Sequence, residues 1–184
     1  SLPTSPKPRT LTYTPWDVTP SSTSPFTLKD QVYEYSGKKF RVAVQYPPVD
    51  KVSFKAVRAF LLSLRGSIGT FTLGDPANAT PLGSVPGTPL ANGTAAIGDS
   101  TFATKGWTAG QTNILRAGDE FQVDSFCYTN LKDVNSDGSG NATLDVWPSL
   151  HSAVPNNSAI TTTAPKSLWR LEPYSVSWSV AADH

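Results

Sequence analysis

One stretch of this sequence, Lys51 to Arg65, carries a sustained helical repeat, and it bounds the fold more tightly than any other feature. Val57, Phe60, Leu61 and Leu64 fall at i, i+3, i+4 and i+7, which makes one apolar stripe on a helix. Lys51, Lys55, Arg58 and Arg65 mark the solvent side. Asp50 stands where an N-cap accepts hydrogen bonds from the free N–H groups of the first turn, and Gly66 suits a left-handed stop. Elsewhere 16 prolines and 13 glycines, with frequent Ser, Thr and Asn, interrupt helices and make turns. The expectation is a mainly β protein of many short strands with one packed helix. Five Trp, six Tyr and eight Phe supply core volume despite a hydrophobic content of only 38%, and 184 residues suffice for one large domain or two small ones.

The strand signals fall into two groups. Residues 1–25, rich in Pro, Ser and Thr, read as an extended N-terminal arm anchored by Tyr13 and Trp16. Phe26 to Tyr35 reads as a strand, Ser36-Gly37-Lys38 as a turn, and Lys39 to Tyr46 as a second strand completing a hairpin. In that second strand Phe40, Val42, Val44 and Tyr46 alternate with Arg41, Ala43 and Gln45, the period of a half-buried strand. After the helix, Gly69 to Pro76 is a short strand ending in a turn. The chain from Ala77 to about Gly110 is almost uncharged, and a second set of strand signals follows: Ile114–Val123, with a tight Ala-Gly-Asp turn at 117–119 into a strand, then Cys127–Val134 and Ala142–Trp147 as a hairpin, with Asn135–Asn141 as its turn. These predict a small β-barrel inserted at 77–149 into a discontinuous β-sandwich made of 1–76 and 150–184. Lys166 to Val180 is expected to be a long closing strand of that sandwich, because Val176, Trp178 and Val180 alternate with serines.

Little in the residues points to chemistry. The formal net charge is +1, and the densest basic cluster, Lys38-Lys39-Arg41, reads as a solvated strand end rather than a nucleic-acid stripe. No apolar run approaches the roughly 18–20 residues that span a bilayer. The N-terminus has no hydrophobic signal core, and the absence of Met even at position 1 is read as removal of an initiator. Cys127 is the sole cysteine, so no intramolecular disulfide forms, and it reads as a small buried hydrophobe. His151 lies near Ser149 and Ser152 without a nucleophile elbow, and His184 is the last residue. Asp133-Val-Asn-Ser-Asp-Gly138 matches the front of a calcium loop, but Leu144 occupies the place of the bidentate Glu, so a solvated hairpin turn is expected. Asn-X-Ser/Thr strings begin at Asn78, Asn92, Asn141 and Asn156 and carry no weight without a secretory route. Trp107 is expected to pack rather than to bind sugar. No catalytic, cofactor or metal-binding residue is assigned.

Three phrases carry a family resemblance: Phe60-Leu-Leu-Ser-Leu-Arg-Gly-Ser-Ile-Gly-Thr-Phe-Thr-Leu-Gly-Asp-Pro76, Leu115-Arg-Ala-Gly-Asp-Glu-Phe-Gln-Val123, and Asp133-Val-Asn-Ser-Asp-Gly-Ser-Gly-Asn-Ala-Thr-Leu-Asp-Val-Trp-Pro148. They resemble the distal tail proteins of long-tailed bacteriophages, over roughly Phe40 to Trp178. The resemblance implies a β-sandwich with a helix, similar to tail-tube proteins, and an extra domain of oligonucleotide/oligosaccharide-binding (OB) type. It implies a hexameric ring in the virion at the distal end of the tail, made in the host cytoplasm and contacting the tail tube and the hub or tip proteins. It implies no enzyme activity, no cofactor, no membrane and no specific nucleic acid. The departure from the resemblance is size: the long C-terminal carrier domain of many relatives is read as absent, which counts against direct receptor-protein docking. The alternative is a carbohydrate-binding module touching host-surface glycans through the inserted barrel, and a third reading, a small hydrolase, rests only on His151 and its serines.

Overall fold

A computed structural model describes residues 2–3, 5–33, 35 and 37–179. It is mainly β, with one α-helix and twelve strands among the described residues. The chain first builds a long two-stranded arm. β1 (Thr10–Asp17) pairs antiparallel with β4 (Lys38–Gln45), Tyr13 opposite Val42 and Asp17 opposite Lys38. The ladder continues outward through Val18 N–H to Gly37 O at 3.2 Å, Tyr35 N–H to Val18 O at 3.1 Å and Tyr33 N–H to Pro20 O at 3.0 Å. It ends in β2 (Ser21–Thr23) paired with β3 (Asp30–Val32).

Two expectations are thereby corrected. The partner of the Lys39–Tyr46 strand is Thr10–Asp17, not Phe26–Tyr35, so residues 1–25 contain a strand of the sheet rather than a detachable arm. Pro15 is tolerated inside β1 because that strand has a neighbour on one side only, leaving its missing N–H without consequence for the ladder. Most of Phe26–Tyr35 is the far end of the arm, with Leu28 in the left-handed region of its turn at φ 52°. The predicted turn residue Ser36 lies outside the described residues.

The helix forms largely where its stripe predicts it. α1 (Lys51–Ser63) is capped by the Asp50 carboxylate, which accepts from Val52 N–H at 2.9 Å and Ser53 N–H at 3.2 Å. It stops two residues before Arg65, which itself turns left-handed (φ 51°) ahead of Gly66 (φ 67°). Val57 and Leu64 are buried and Phe60 packs edge-on against Phe71 at 6.0 Å. Phe71 belongs to β5 (Thr70–Leu73), which pairs with β12 (Ser167–Arg170). The long closing strand expected over 166–180 is thus only four residues. Beyond Arg170 the described chain is irregular, Trp178 rests against Phe54 and Arg58, and Val180 lies outside the described residues.

The largest sheet has six strands: β6 (Gly87–Ala91), β7 (Thr101–Trp107), β8 (Glu120–Val123), β9 (Phe126–Asn130), β10 (Ala142–Trp147) and β11 (Ile160–Thr161). Their order is β11-β8-β9-β10-β7-β6, and the two end strands meet at a Leu90–Ala159 bridge, which gives a nearly closed barrel-like sheet. Alternation sends Phe121 and Val123, Tyr128 and Asn130, Leu144 and Val146 inward. With Phe102, Ile114, Leu115, Leu150, Val154 and Ile160 they form one core. The sheet reaches past residue 149, because β11 follows it, and Ala164 N–H donates to Ala79 O at 2.8 Å where the chain enters and leaves. A tight β6–β7 approach explains Gly87 and Gly106: a Cβ on either would collide with the backbone of the other strand, and both hold positive φ.

Candidate functional site

The outer end of the arm is the most unusual surface. Phe26 is 93% exposed, Leu28 78% and Val32 65%, with Tyr33 and Tyr35 also exposed. The turn that presents them is built locally: Ser24 N–H donates to Lys29 O at 3.0 Å and Leu28 N–H to Ser24 O at 2.9 Å. Nearer the base, Arg41 stacks on Trp16 at 3.4 Å and pairs with Glu172 at 2.9 Å, so part of the Lys38-Lys39-Arg41 cluster is engaged within the fold. The base is further fixed by Phe40 against Trp147 at 4.4 Å and by Trp147 Nε1–H donating to Asp17 at 3.0 Å. The arm is therefore anchored at one end and unsupported at the other.

A second feature is the seam between the outer face of β8–β9 and the rest of the chain. Glu120 and Cys127 alternate with the inward Phe121 and Tyr128, so they face outward, yet both are partly covered. Leu168 N–H donates to Ser125 O at 2.8 Å and Cys127 N–H to Ser167 Oγ at 3.3 Å, holding β12 over this face. Tyr13 comes from β1 with its ring 6.2 Å from Trp169, and its hydroxyl is buried with no hydrogen-bond partner. Asp75 caps the short 3-10 turn Pro76–Asn78, whose last residue, Asn78, donates its side-chain amide to Asp75 at 3.0 Å. Burial first, and then the nearby Asp75 charge, push the Glu120 carboxyl up to about 7, against a lowering contribution from the Asn78 hydrogen bond. Burial, with Glu120 second, pushes the Cys127 thiol up to about 12, so it is not poised as a thiolate nucleophile. Cys127 is half-buried in this seam rather than in the core, which corrects the expectation.

The remaining sequence candidates find structural roles. His151 lies against Phe126 at 5.2 Å and Tyr128 at 6.2 Å, its backbone N–H donates to the Tyr128 hydroxyl, and burial alone lowers its pKa, with no carboxylate contributing. His184 lies outside the described residues. In the calcium-like turn, Asp133 accepts from Ala117 N–H, Asn135 from Asn113 N–H, and Asp137 from Ser139 and Asn141 N–H, all at 2.7–2.9 Å. Those oxygens are committed to the backbone, and no group of three or more metal-ligating side chains exists among the described residues. Among the same residues no helix is long and apolar enough to cross a membrane. Trp107 is 5% exposed and its Nε1–H donates to Thr104 Oγ1 at 2.8 Å, so its ring is core. Of the Asn-X-Ser/Thr positions, Asn156 accepts from Gly93 N–H and Lys105 Nζ, and Asn92 donates to Asn141.

Sequence reasoning missed Asp119 and Asn130. Asp119 is 3% exposed and its carboxylate accepts from Leu82, Gly83 and Arg116 N–H at 2.7–2.9 Å. Asn130, fully buried, donates to the Arg116 and Lys132 carbonyls. Together they pin the loops at one end of the barrel-like sheet. The only signal of this in the sequence is the Ala-Gly-Asp turn at 117–119, where Gly118 takes φ 94°. What the coordinates define as a class is a mainly β protein with a nearly closed barrel-like sheet and a projecting two-stranded arm. No protein-family model matches the chain, and no curated protein matches it in sequence.

Proposed function

We propose that this protein is a non-enzymatic structural component of the tail tip of a long-tailed bacteriophage, a distal tail protein forming a hexameric ring that joins the tail tube to the hub. The observation that carries the reading is the arm: among the described residues its outer end leaves Phe26 93%, Leu28 78% and Val32 65% exposed, with Tyr33 and Tyr35 more than half exposed. Exposed apolar patches of this kind mark protein contacts, and a head-to-tail contact that closes makes a ring. Supporting it, the buried apolar residues outside the barrel-like sheet are few among the described residues, Val57, Leu64, Phe71 and Pro165, so that part of the chain stands to gain most from a neighbour. The three phage-like phrases supply sixfold closure, the tail-tube and hub partners and the virion location.

In this reading residues 1–76 and the chain that follows the barrel-like sheet make a β-sandwich with α1 that builds the ring. The barrel-like sheet, from residue 77 onward and completed by Ile160–Thr161, is the OB-type insertion. It faces outward, because a bulky unit inside a ring would obstruct the channel. Native mass spectrometry of the purified chain and cryo-electron microscopy of purified virions test the proposal. A sixfold ring at the end of the tail tube is the expected result, and absence from virions, or a place there as a monomeric fibre component, overturns it.

A further inference from the structure

The outer face of α1 is a second apolar surface that the chain leaves open. Val52 and Leu62 on the helix, and Ile68 just past it, are each more than half exposed. Val57 and Leu64 already bury the opposite side against the fold, so this is a separate face and not a misplaced core. Lys51, Lys55, Arg58 and Arg65 rim it, and residues 51–65 hold no Asp or Glu. Among the described residues none of these four cations is held in an ion pair. Arg58 has one aromatic ring beside it, Trp178 at 5.2 Å.

An apolar floor inside a cationic rim narrows the choice of occupant. A second copy of the same helix would bring four more cations and be repelled. The outer end of the arm brings the opposite set. Phe26, Leu28 and Val32 suit the floor, and the rings of Tyr33 and Tyr35 suit the cations. The arm segment 24–35 also carries Asp30 and Glu34 against one Lys29. The chain already makes such a pairing near the arm's base, where Arg41 stacks on Trp16 at 3.4 Å. The two surfaces do not cover each other within one chain. β4 ends at Gln45 and α1 begins at Lys51, so the helix starts at the foot of the arm. From Thr10 to Thr23 the extended arm carries its outer end roughly 40 Å from that foot. A contact between two different surfaces of two copies is head to tail. We propose that the outer end of the arm of one copy docks on the outer face of α1 of the next, its apolar side chains on Val52 and Leu62, its tyrosine rings and Asp30 against the rim cations. The inference rests on the ring reading and adds to it the surface that receives the arm.

The test is cross-linking between two single-thiol forms of the full chain, Cys127→Ser with Thr27→Cys and Cys127→Ser with Ala59→Cys. Both positions are exposed, and neither supplies a side chain to the proposed contact. Mixed in equal amounts and treated with a short bismaleimide, the two forms should give a linked pair joining positions 27 and 59, and either form alone should give little. Links of 27 to 27 or of 59 to 59 in preference would show arm-to-arm or helix-to-helix contact and overturn the docking. Native mass spectrometry of the same mixture separates the two readings. Assembly without a 27–59 link overturns the docking and leaves the ring standing, whereas absence of assembly overturns both. Leu62→Ser and Lys55→Glu, each at an exposed position, should weaken assembly by about tenfold or more, and undiminished assembly of both variants would overturn the docking.

Discussion

Replacing Glu120 by Gln removes a proton equilibrium that the fold displaces. Burial in the seam, then Asp75, raise the folded-state pKa of Glu120 from 4.5 to about 7. Between those values the folded protein holds a proton that the unfolded chain has released, so stability falls as pH rises through this interval. The contribution is fully present below about pH 4.5 and lost above about 7. At about 1.4 kcal/mol per pH decade the interval amounts to roughly 3 kcal/mol. The carboxyl is only partly shielded from water, so a net effect of ~1–2 kcal/mol is the better figure. Glutamine keeps an acceptor oxygen for Asn78 and carries no charge, so Glu120→Gln should match the parent near pH 5 and exceed it by ~1–2 kcal/mol near pH 8. For a chain of this size each kcal/mol moves the melting midpoint by about 2–4 °C. Urea melts at half-unit steps from pH 5 to 8, followed by Trp fluorescence, read the difference directly. Taking parent minus variant cancels His151, whose burial-lowered pKa acts with the opposite slope. A difference that is flat with pH, or a variant less stable at pH 8, would refute the argument that Glu120 is desolvated in a closed seam.

Three other outcomes follow from the same structure. Phe26→Ser and Leu28→Ser should leave the melting temperature unchanged and weaken self-assembly by roughly 10–100-fold each in sedimentation equilibrium, the worth of about 1.5–3 kcal/mol per buried apolar side chain. Replacing residues 80–163 by a short Gly/Ser bridge should leave a folded β protein by circular dichroism, because Ala79 and Ala164 are already hydrogen-bonded neighbours; a random-coil spectrum would refute it. Thermal melts in EDTA and in millimolar Ca²⁺ should coincide, since Asp133 Oδ1, Asn135 Oδ1 and Asp137 Oδ1 already accept from backbone N–H groups, whereas an upward shift with calcium would show an ion binding the native state.

The features that were legible in the sequence are those whose cause is local. The α1 stripe buries Val57 and Leu64 as its spacing requires, and the Asp50 cap forms with Val52 and Ser53, two and three residues further on. The alternation of Phe40, Val42 and Val44 identifies β4 for the same reason. β1 was hidden although Thr-Leu-Thr-Tyr-Thr has the same period, because Pro15 and the prolines before it suggest irregular chain; only its position beside a single partner makes Pro15 harmless. The role of Asp119 could not be read at all, because two of its three donors, Leu82 and Gly83, lie far away in sequence. The Glu120 seam was hidden for the same reason, depending as it does on Asp75, Tyr13 and β12 arriving from three separate segments.

The arm shows a different kind of limit. Phe26, Leu28, Val32 and Tyr33 are the residue types that elsewhere in this chain, as Phe121, Leu144, Val146 and Tyr128, fill the core of the barrel-like sheet. Propensity reads both sets as strand, and nothing local separates them. The difference lies in what stands opposite. Phe121 and Tyr128 have five neighbouring strands to curl around them, whereas β2 and β3 have only each other. An isolated two-stranded ribbon is marginal in water, and one that also exposes aromatic side chains bears a further cost. In the ring proposed above, Phe26, Leu28, Val32, Tyr33 and Tyr35 are the side chains that a neighbouring subunit would cover, and that burial would offset the cost of exposing them.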